Sequence, residues 1–268
     1  MKGSDTLILM CKAPIPGTVK TRLCPPLSRR QAAALYACFL EDTAGEAASL
    51  RRIRRRLCYA PPEAKAYFLA APFSGFLPRE QKGNGLGERM AHAMEEAFSE
   101  GARRVAIVGG DCPALSAERI RSAFRELSDG ADAVFGPSED GGFYLIGLSA
   151  PSPFLFPGIE WSTGTVLTEI LSRCRNAGMT YALLPAESDV DTAEDLAALR
   201  RWTRARTRPP CPRTRGWIAS YPPTERTTSS RGEERASSPS PGRRLRSGER
   251  SPSGPARGPR SRTGRSPR

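Results

Sequence analysis

The first 203 residues alternate short apolar runs with longer segments in which apolar residues recur every three or four positions. The short runs predict buried strands, and the longer segments predict helices with one apolar face. The predicted strands cover residues 6–11, 53–59, 76–81, 104–108, 131–135, 143–148 and 179–184. The predicted helices cover residues 28–48, 63–70, 88–100, 116–127, 162–177 and 192–204. Strands that alternate with helices indicate an α/β fold, with a mostly parallel sheet covered on both faces.

Two of the predicted helices begin at residues with strong capping chemistry. Ser28 and Gln31 have the spacing of a capping box, in which each side chain bonds the backbone N–H of the other residue. Thr192 precedes the last helix and is a favourable N-cap. The first and last helices are therefore expected to begin at these positions.

The second predicted strand is unusual because arginines occupy positions 51, 52, 54, 55 and 56. Arginine discourages pairing between exposed sheet edges, so an edge strand is the simplest interpretation. A phosphate-binding role for these side chains is the alternative.

The loop after the first predicted strand has the sequence KAPIPGTVKTRL, residues 12–23, and carries three cations. A strand, a loop containing Pro and Gly, and a helix in succession are how α/β proteins bind phosphate at the end of a sheet. Lys12, Lys20 and Arg22 are the candidate cations, and Gly17 is the candidate loop glycine. The loop matches neither the P-loop nor the dinucleotide-binding motif. A solvated basic turn is the alternative interpretation.

Acidic residues follow three of the predicted strands, at the position where a parallel sheet binds its ligands. These residues are Asp111, Glu139, Asp140, Asp189 and Asp191. Carboxylates from separate strand ends can hold a hard cation such as Mg²⁺ together with phosphate oxygens. Each cluster also has a structural alternative: a turn at Asp111, a hairpin at residues 139–142, and a helix cap at Asp191.

The net charge of +13 lies entirely in the last part of the chain. Residues 204–268 hold 17 Lys and Arg against 4 Asp and Glu, whereas residues 1–203 are electrically balanced. This last segment is rich in Arg, Ser, Pro and Gly, and it has too few apolar residues to offset the entropy of ordering. We therefore predict one folded domain at 1–203 and a disordered tail at 204–268. The tail could contact nucleic acid through its charge, or it could be an accidental extension.

The remaining side chains exclude several common chemistries. Seven cysteines are scattered without a C-x-x-C pair, which indicates reduced thiols in a cytoplasmic protein rather than a zinc site or a disulfide framework. Cys112 lies beside Asp111, which disfavours a reactive thiolate. His92 is the only histidine, so a Ser-His-Asp or Cys-His mechanism has little support. No apolar run is long enough for a signal peptide or a membrane span.

Six motifs occur in order between residues 6 and 203: KAPIPGTVKTRL, GLGERM, GGDCPAL, EDGGFYLIGL, WST and DVDTAEDL. Together they resemble the bacterial GT-A-fold family called radical-SAM/selenodomain-associated transferase 1, or arsenosugar-biosynthesis glycosyltransferase. The resemblance implies a three-layer GT-A sandwich of the nucleotide-diphospho-sugar transferase type. It also implies transfer of a sugar from a nucleotide-sugar to a small acceptor.

The chain is similar, more distantly, to the phospholactate and phosphoenolpyruvate guanylyltransferases, which share the basic loop, a D-x-P turn, an acidic DGG segment and a D-V-D segment. This similarity implies that Asp111, Asp189 and Asp191 hold a Mg²⁺ or Mn²⁺ ion. It implies nucleotide contacts for Lys20, Arg22, Gly85, Leu86, Gly87 and Arg89, and acceptor contacts for Asp140, Gly141 and Gly142. Those enzymes follow DGG with Thr-Asn, whereas this chain has Phe143 and Tyr144, which argues against the same small acidic acceptor.

These features predict a metal-dependent glycosyltransferase in which Lys20, Arg22 and the metal stabilise a diphosphate leaving group. Glu139 or Asp140 is the candidate base for the acceptor hydroxyl. Trp161 either stacks on a base or a sugar at the acceptor side, or belongs to the core. The first alternative is a nucleotidyltransferase that joins an NTP to a small phosphorylated acid and releases pyrophosphate. The second is a non-catalytic protein that binds nucleotide or RNA.

Overall fold

The computed structural model describes residues 3–221, and seven strands in this range form a single sheet. The strands are β1 (Ser4–Lys12), β2 (Ile53–Ala60), β3 (Leu77–Glu80), β4 (Ala102–Gly109), β5 (Ala133–Pro137), β6 (Phe143–Leu148) and β7 (Tyr181–Leu183). Their order across the sheet is β3-β2-β1-β4-β6-β5-β7. Strand β6 runs antiparallel to β4 and β5, and the other described pairs are parallel. The prediction of a mostly parallel sheet is therefore confirmed.

Seven α-helices in the described residues cover the two faces of this sheet. They are α1 (Arg29–Ala48), α2 (Lys65–Leu69), α3 (Leu86–Ser99), α4 (Ala117–Ser128), α5 (Val166–Asn176), α6 (Ala193–Arg204) and α7 (Pro212–Ser220). Helices α3 and α5 supply buried side chains to one apolar core, and the other five helices supply the core on the opposite face. This is the three-layer arrangement that the alternating pattern predicts.

Strand β1 shows how the sequence divides the two cores. Leu7 and Leu9 point to the face covered by α1, whereas Ile8 and Met10 point to the face covered by α3. Successive side chains of a strand alternate between faces, and a strand buried on both faces is apolar at every position. Strand β1 also lies between β2 and β4 in the strand order, so it is an inner strand. A loop at its C-terminal end can therefore reach several neighbouring strand ends.

The capping predictions are confirmed. Ser28 is the N-cap of α1 and forms a reciprocal capping box with Gln31. Thr192 caps α6 in the same way, with Asp195 as the reciprocal partner. Helix α3 begins at Leu86, two residues earlier than expected, so part of the predicted glycine loop belongs to the first helical turn.

The edge-strand interpretation of the arginine-rich strand is wrong. Strand β2 pairs with β1 on one side and with β3 on the other, so β3 is the outer strand. Arg56 is buried, with 2% of its side chain exposed, and its Nη2 lies 2.5 Å from Oε2 of Glu100 at the end of α3. The carboxylates of Glu96 and Glu100 neutralise the buried Arg56, which allows this arginine-containing strand to lie inside the sheet.

The folded part of the chain continues beyond the boundary expected at residue 203. Helix α7 lies within the segment predicted to be disordered, and its Thr214 and Ile218 are buried. Asp42 of α1 accepts backbone hydrogen bonds from Arg213 (3.0 Å) and Thr214 (2.8 Å) at the start of α7. Residues 204–221 are thus corrected to part of the domain, and the prediction for 222–268 lies outside the described residues.

In residues 3–221, no helix combines the length and the apolar character that crossing a membrane requires.

Candidate functional site

The predicted acidic segments meet at the edge of the sheet where β1 and β4 end. The backbone N–H of Val190 donates to the carbonyl of Asp111 at 3.2 Å, which joins the segment before α6 to the end of β4. The N–H of Glu139 donates to the carbonyl of Glu187, also at 3.2 Å. These contacts place the three acidic clusters beside one another, because each follows a strand that ends at this edge.

Lys20 lies between two of these carboxylates. Its Nζ is 2.7 Å from Oδ1 of Asp191 and 3.3 Å from Oδ2 of Asp111, and 5% of its side chain is exposed. Burial alone would lower the pKa of Lys20, but the charges of Asp111 and Asp191 raise it above its ordinary value. The ammonium group is therefore charged at neutral pH and bridges residues from two separate segments.

The backbone of Lys20 has a left-handed conformation, with φ 47° and ψ 39°. This region costs a non-glycine residue roughly 1–2 kcal/mol. The buried neighbours Val19 and Leu23 hold the loop in place on either side. Strained residues of this kind are concentrated at functional sites, where the surrounding structure fixes them.

Asp189 is the most perturbed carboxylate of the cluster. Its Oδ1 is buried and has no hydrogen-bond partner within residues 3–221. Burial and the charge of Asp111 raise the pKa of Asp189 to about 8, against the opposing charge of Lys20. The charges of Asp140 and Asp191 raise it further. A buried, unpartnered oxygen beside other carboxylates is suited to an additional cation.

The segment with Glu139 and Asp140 is the tight turn of the β5–β6 hairpin. Asp140 accepts hydrogen bonds from the N–H of Gly142, at 3.0 Å, and from the hydroxyl of Ser138. Glu139 accepts a 2.6 Å hydrogen bond from the hydroxyl of Ser188. Both carboxylates are exposed at the rim of the cluster. The hairpin alternative is therefore confirmed, and it holds the two acids beside Asp189.

Gly141 fits this hairpin against the loop before α5. Its φ is +87°, and a Cβ built on it would lie 2.1 Å from the carbonyl oxygen of Gly164. Its own carbonyl accepts from the N–H of Leu167 in the first turn of α5. A glycine is required here by backbone contact, independently of any acceptor.

The other loop cations, Lys12 and Arg22, form no ion pair with Asp111 or Asp191 in the described part of the chain. Lys12 is exposed, and its backbone N–H donates to the hydroxyl of Tyr36 at 3.2 Å. Gly17 has φ +85° and packs beside the side chain of Arg29. Arg22 is exposed and faces α6. Burial would raise the pKa of Asp195, but backbone hydrogen bonds and the charge of Arg22 lower it.

The predicted nucleotide turn at the start of α3 contacts Trp161. Gly85 is the N-cap of the helix, Leu86 is exposed, and a Cβ on Gly87 would fall 2.5 Å from Nε1 of Trp161. The indole also packs edge-on against Phe143, with ring centroids 6.3 Å apart. Trp161 is half-buried in this cluster, so it joins the turn to β6 while part of the ring stays exposed.

Two residues of the site were not predicted from the sequence. Gln81 donates through its amide to the carbonyls of Cys11 (2.8 Å) and Cys58 (2.9 Å), which ties the ends of β1 and β2 together. Arg89, which was predicted, donates to Oε1 of Gln81 at 3.4 Å and to the carbonyl of Gly83 at 3.0 Å. Tyr36 lies beneath Lys20, whose Nζ is 5.9 Å from the ring centroid. The signal for Gln81 is its position directly after a strand.

Two predicted exclusions agree with the structure. Cys112 is buried, and burial with the charges of Asp189 and Asp111 raises the pKa of its thiol well above the ordinary value. His92 is exposed on α3 and lines a surface cleft of about 280 Å³. Neither side chain joins the carboxylate cluster, so the candidate chemistry rests on Lys20 and the acids.

The donor set suits a hard divalent ion. Asp111 and Asp191 already share one cationic partner, and the unpartnered oxygen of Asp189 faces the same group of charges. Mg²⁺ and Mn²⁺ prefer carboxylate oxygens combined with phosphate and water. Among the residues that the structure describes, no three His, Cys, Asp or Glu side chains converge tightly enough to enclose a metal by themselves. The set fits an ion that takes further ligands from a bound phosphate.

Solved structures with low sequence identity show the fold. The structure of 4-diphosphocytidyl-2C-methyl-D-erythritol synthase matches with a TM-score of 0.52 and 10% identity, over 75% of this chain and 98% of that chain. A cytidylyltransferase from Leptospira borgpetersenii serovar Hardjo-bovis matches with a TM-score of 0.50 and 10% identity, over 78% of this chain and 90% of that chain. A comparison with curated proteins found no match.

A protein of Desulfovibrio desulfuricans is much more similar. It is described as a proposed nucleotide-diphospho-sugar transferase, and its crystal structure matches with a TM-score of 0.75 and 34% identity, over 81% of this chain and 95% of that chain. The expected GT-A-type fold is thereby confirmed. Residues 43–163 match the family described as "Uncharacterized protein conserved in bacteria (DUF2064)". The chain therefore belongs to the same family as this Desulfovibrio protein and has a nucleotide-diphospho-sugar transferase-like fold.

Proposed function

We propose that the protein is a metal-dependent glycosyltransferase that moves a sugar from a nucleoside-diphosphate sugar to a small acceptor. The observation that carries the proposal is the bridge from Lys20 to Asp111 and Asp191, at the edge where this type of fold binds ligands. The description of the Desulfovibrio relative as a proposed nucleotide-diphospho-sugar transferase supports it. The motifs shared with the arsenosugar-type glycosyltransferases also support a sugar as the transferred group.

The leaving group in this reaction is a nucleoside diphosphate, whose charge increases as the bond to the sugar breaks. Lys20 is placed to neutralise that charge, Lys12 is exposed in the same loop, and Arg29 at the start of α1 lies beside Gly17 of that loop. Asp111, Asp189 and Asp191 would hold Mg²⁺ or Mn²⁺, which supplies charge stabilisation for the diphosphate when bound. Charges placed in advance at such a position lower the barrier by a few kcal/mol, on the order of an oxyanion-hole donor.

The acceptor hydroxyl must lose a proton as it attacks the sugar. Asp140 is the candidate base that we favour, because it lies exposed in the tight turn that borders the cluster. Its Oδ1 is fixed by Gly142 and Ser138, which orients the carboxylate at the rim. The neighbouring Glu139 is engaged by Ser188 on the outer side. We therefore assign proton transfer to Asp140 and acceptor contacts to Gly142 and the exposed part of Trp161.

Nucleotidyl transfer is the second candidate. In that reaction the same loop binds an NTP, and an acceptor phosphate or carboxylate attacks the α-phosphate. The observation that favours it is Arg29, which lies beside Gly17 and adds a fourth cation to Lys12, Lys20 and Arg22. A triphosphate carries more negative charge than a diphosphate, so it benefits more from such a loop.

One experiment separates the two reactions. The full chain is incubated with Mg²⁺ or Mn²⁺, panels of NDP-sugars and NTPs, and pooled small acceptors, and both nucleoside diphosphate and pyrophosphate are measured. We expect metal-dependent release of diphosphate from one NDP-sugar. Asp111→Asn should lower this rate by about 100-fold or more. Asp129→Asn, which removes an exposed carboxylate at the end of α4, should leave it unchanged.

Each outcome has a distinct meaning. Pyrophosphate release from an NTP would select nucleotidyl transfer instead. A rate that survives Asp111→Asn in a folded protein would overturn the role of the carboxylate cluster. Binding of nucleotide without turnover of any donor would favour the non-catalytic alternative.

A further inference from the structure

We propose that Lys20 competes with the divalent metal for Asp111 and Asp191, and that its ammonium moves to the phosphates of the nucleotide when the metal binds. The proposal rests on the proposed function and goes beyond it, because it assigns Lys20 two positions in place of one. It also predicts cooperative binding: the metal and the nucleotide each bind weakly alone, and each binds more tightly when the other is present.

The competition follows from the oxygens that Lys20 already contacts. Its Nζ lies 2.7 Å from Asp191 Oδ1 and 3.3 Å from Asp111 Oδ2, so both acids present an oxygen to the same cation. A divalent ion ligated by these oxygens would lie within a few ångströms of the ammonium. Two positive charges at that distance repel strongly in a partly buried site. The ion and the ammonium therefore cannot both occupy this position.

The side chain of Lys20 is suited to such a movement, whereas its backbone is not. Val19 and Leu23 are buried and anchor the loop on both sides of the left-handed residue. Lysine carries its charge on a flexible four-carbon stem, so the ammonium can move while the backbone stays in place. The ring of Tyr36 beneath it, 5.9 Å from Nζ, provides an aromatic surface along which the cation remains stabilised.

The displaced ammonium requires a new anionic partner because its side chain is buried. Phosphate groups bound at the loop 12–23 would provide that partner, since Lys20 belongs to this loop. The metal is then bound more tightly when a phosphate-containing ligand is present, and by linkage the ligand is bound more tightly when the metal is present. This reciprocity makes a metal–nucleotide complex the preferred ligand over either component.

The first test measures Mn²⁺ binding by calorimetry, without nucleotide, to the full chain and to Lys20→Met. Removing the competing ammonium should tighten Mn²⁺ binding about tenfold or more, as expected for a charge pair near a protein surface. Lys82→Met is the matched control, because it removes one positive charge from an exposed side chain outside the carboxylate cluster. Its affinity for Mn²⁺ should stay within about twofold of the natural chain.

A second variant distinguishes the failure of this inference from the failure of the proposed function. Adding Asp111→Asn to Lys20→Met should abolish the gained affinity. Equal Mn²⁺ affinity in the natural chain and in Lys20→Met, with binding still lost in Asp111→Asn, would overturn the exchange and leave the metal site intact. An absence of Mn²⁺ binding in all the proteins would overturn the metal site and with it both proposals.

A measurement on the natural chain keeps the inference testable if Lys20→Met does not fold. Reductive methylation labels accessible lysine amines, and the extent at each lysine is read by mass spectrometry. The buried, ion-paired amine of Lys20 should react slowly, and saturating Mg²⁺ should raise its rate several-fold. The rate at Lys82 should not change with Mg²⁺. An unchanged rate at Lys20, under conditions where Mg²⁺ binding is seen by calorimetry, would overturn the exchange.

Discussion

Gly141 illustrates how a residue can satisfy a functional pattern for a structural reason. The EDGG segment predicts an acceptor site, but the backbone of Gly141 is also in direct contact with the loop before α5. Its positive φ excludes most side chains, and the carbonyl of Gly164 excludes even a methyl group. The two constraints can be separated by comparison with another glycine of positive φ.

Gly141→Ala should destabilise the protein more than Gly178→Ala. Both glycines have positive φ, +87° and +67°, but a Cβ on Gly178 meets no atom within 4 Å, whereas one on Gly141 overlaps the carbonyl of Gly164. Strain at positive φ alone costs about 1 kcal/mol, and the backbone overlap should raise the loss at Gly141 to about 3 kcal/mol. Urea unfolding of the two variants measures the difference. Equal losses of unfolding free energy would mean that the β5–β6 hairpin moves away from the Gly164 carbonyl at no cost.

The candidate site residues were predictable, but their partners were not. Lys20 and the five acids were found from their positions after strands, because strand ends of a parallel sheet meet at one edge. The pairing of Lys20 with Asp111 and Asp191 joins residues 91 and 171 positions apart. Such a distance in sequence contains no local signal. The same reason explains why Tyr36 was missed, whereas Gln81 was missed because the predicted strand 76–81 included it, although β3 ends at Glu80.

An ion-pair network joins helix α3 to β2 and β3. Glu100 at its C-terminal end contacts Arg56 of β2 at 2.5 Å and Arg79 of β3 at 3.2 Å. Glu96, one turn earlier, contacts Arg79 at 3.3 Å. Sequence periodicity located β2 correctly but did not show that β3 lies outside it, because β3 has only four residues and a weak apolar pattern. The burial of Arg56 depends on acids from a different element, which strand patterning cannot reveal.

Acid should remove the contribution of Glu100 to stability. Burial would raise its pKa, but the hydrogen bond from Arg79 and the charge of Arg56 lower it below the ordinary value of 4.5. A lowered pKa in the folded state stabilises the protein above pH 4.5, and this gain is lost as the pH falls through the folded pKa. The difference in unfolding free energy between the natural chain and Glu100→Gln should therefore shrink from pH 7 to pH 3, as measured by urea unfolding.

The control for this prediction is Glu95→Gln, which removes an exposed carboxylate of the same helix that makes none of these contacts. Its difference from the natural chain should change little over the same pH range. If the difference in unfolding free energy between the natural chain and Glu100→Gln stays constant with pH, the arginines do not stabilise the charged form of Glu100 over its neutral form.

At the scale of the whole molecule, the composition of the chain predicted the end of the folded domain too early, at residue 203. The basic excess begins near residue 204, and an average over residues 204–268 hides the few apolar residues of α7. Cys211 and Ile218 are nevertheless buried, and Trp217 packs against the same core. A short helix with few apolar residues folds here because α1 supplies a prepared surface and a carboxylate, Asp42, for its first N–H groups.

A chain that ends after residue 206 should therefore be less stable than one that ends after residue 221. Loss of α7 exposes the surface of α1 that covers Ile218 and removes both backbone partners of Asp42, at a cost of about 3 kcal/mol. Chemical unfolding of the two truncated chains measures this difference. Asp42→Asn should destabilise the longer chain by about 1 kcal/mol and have little effect on the shorter one, because its partners are then absent. Equal stability of the two chains would show that α7 is not part of the cooperative fold, and residue 203 would again be the boundary.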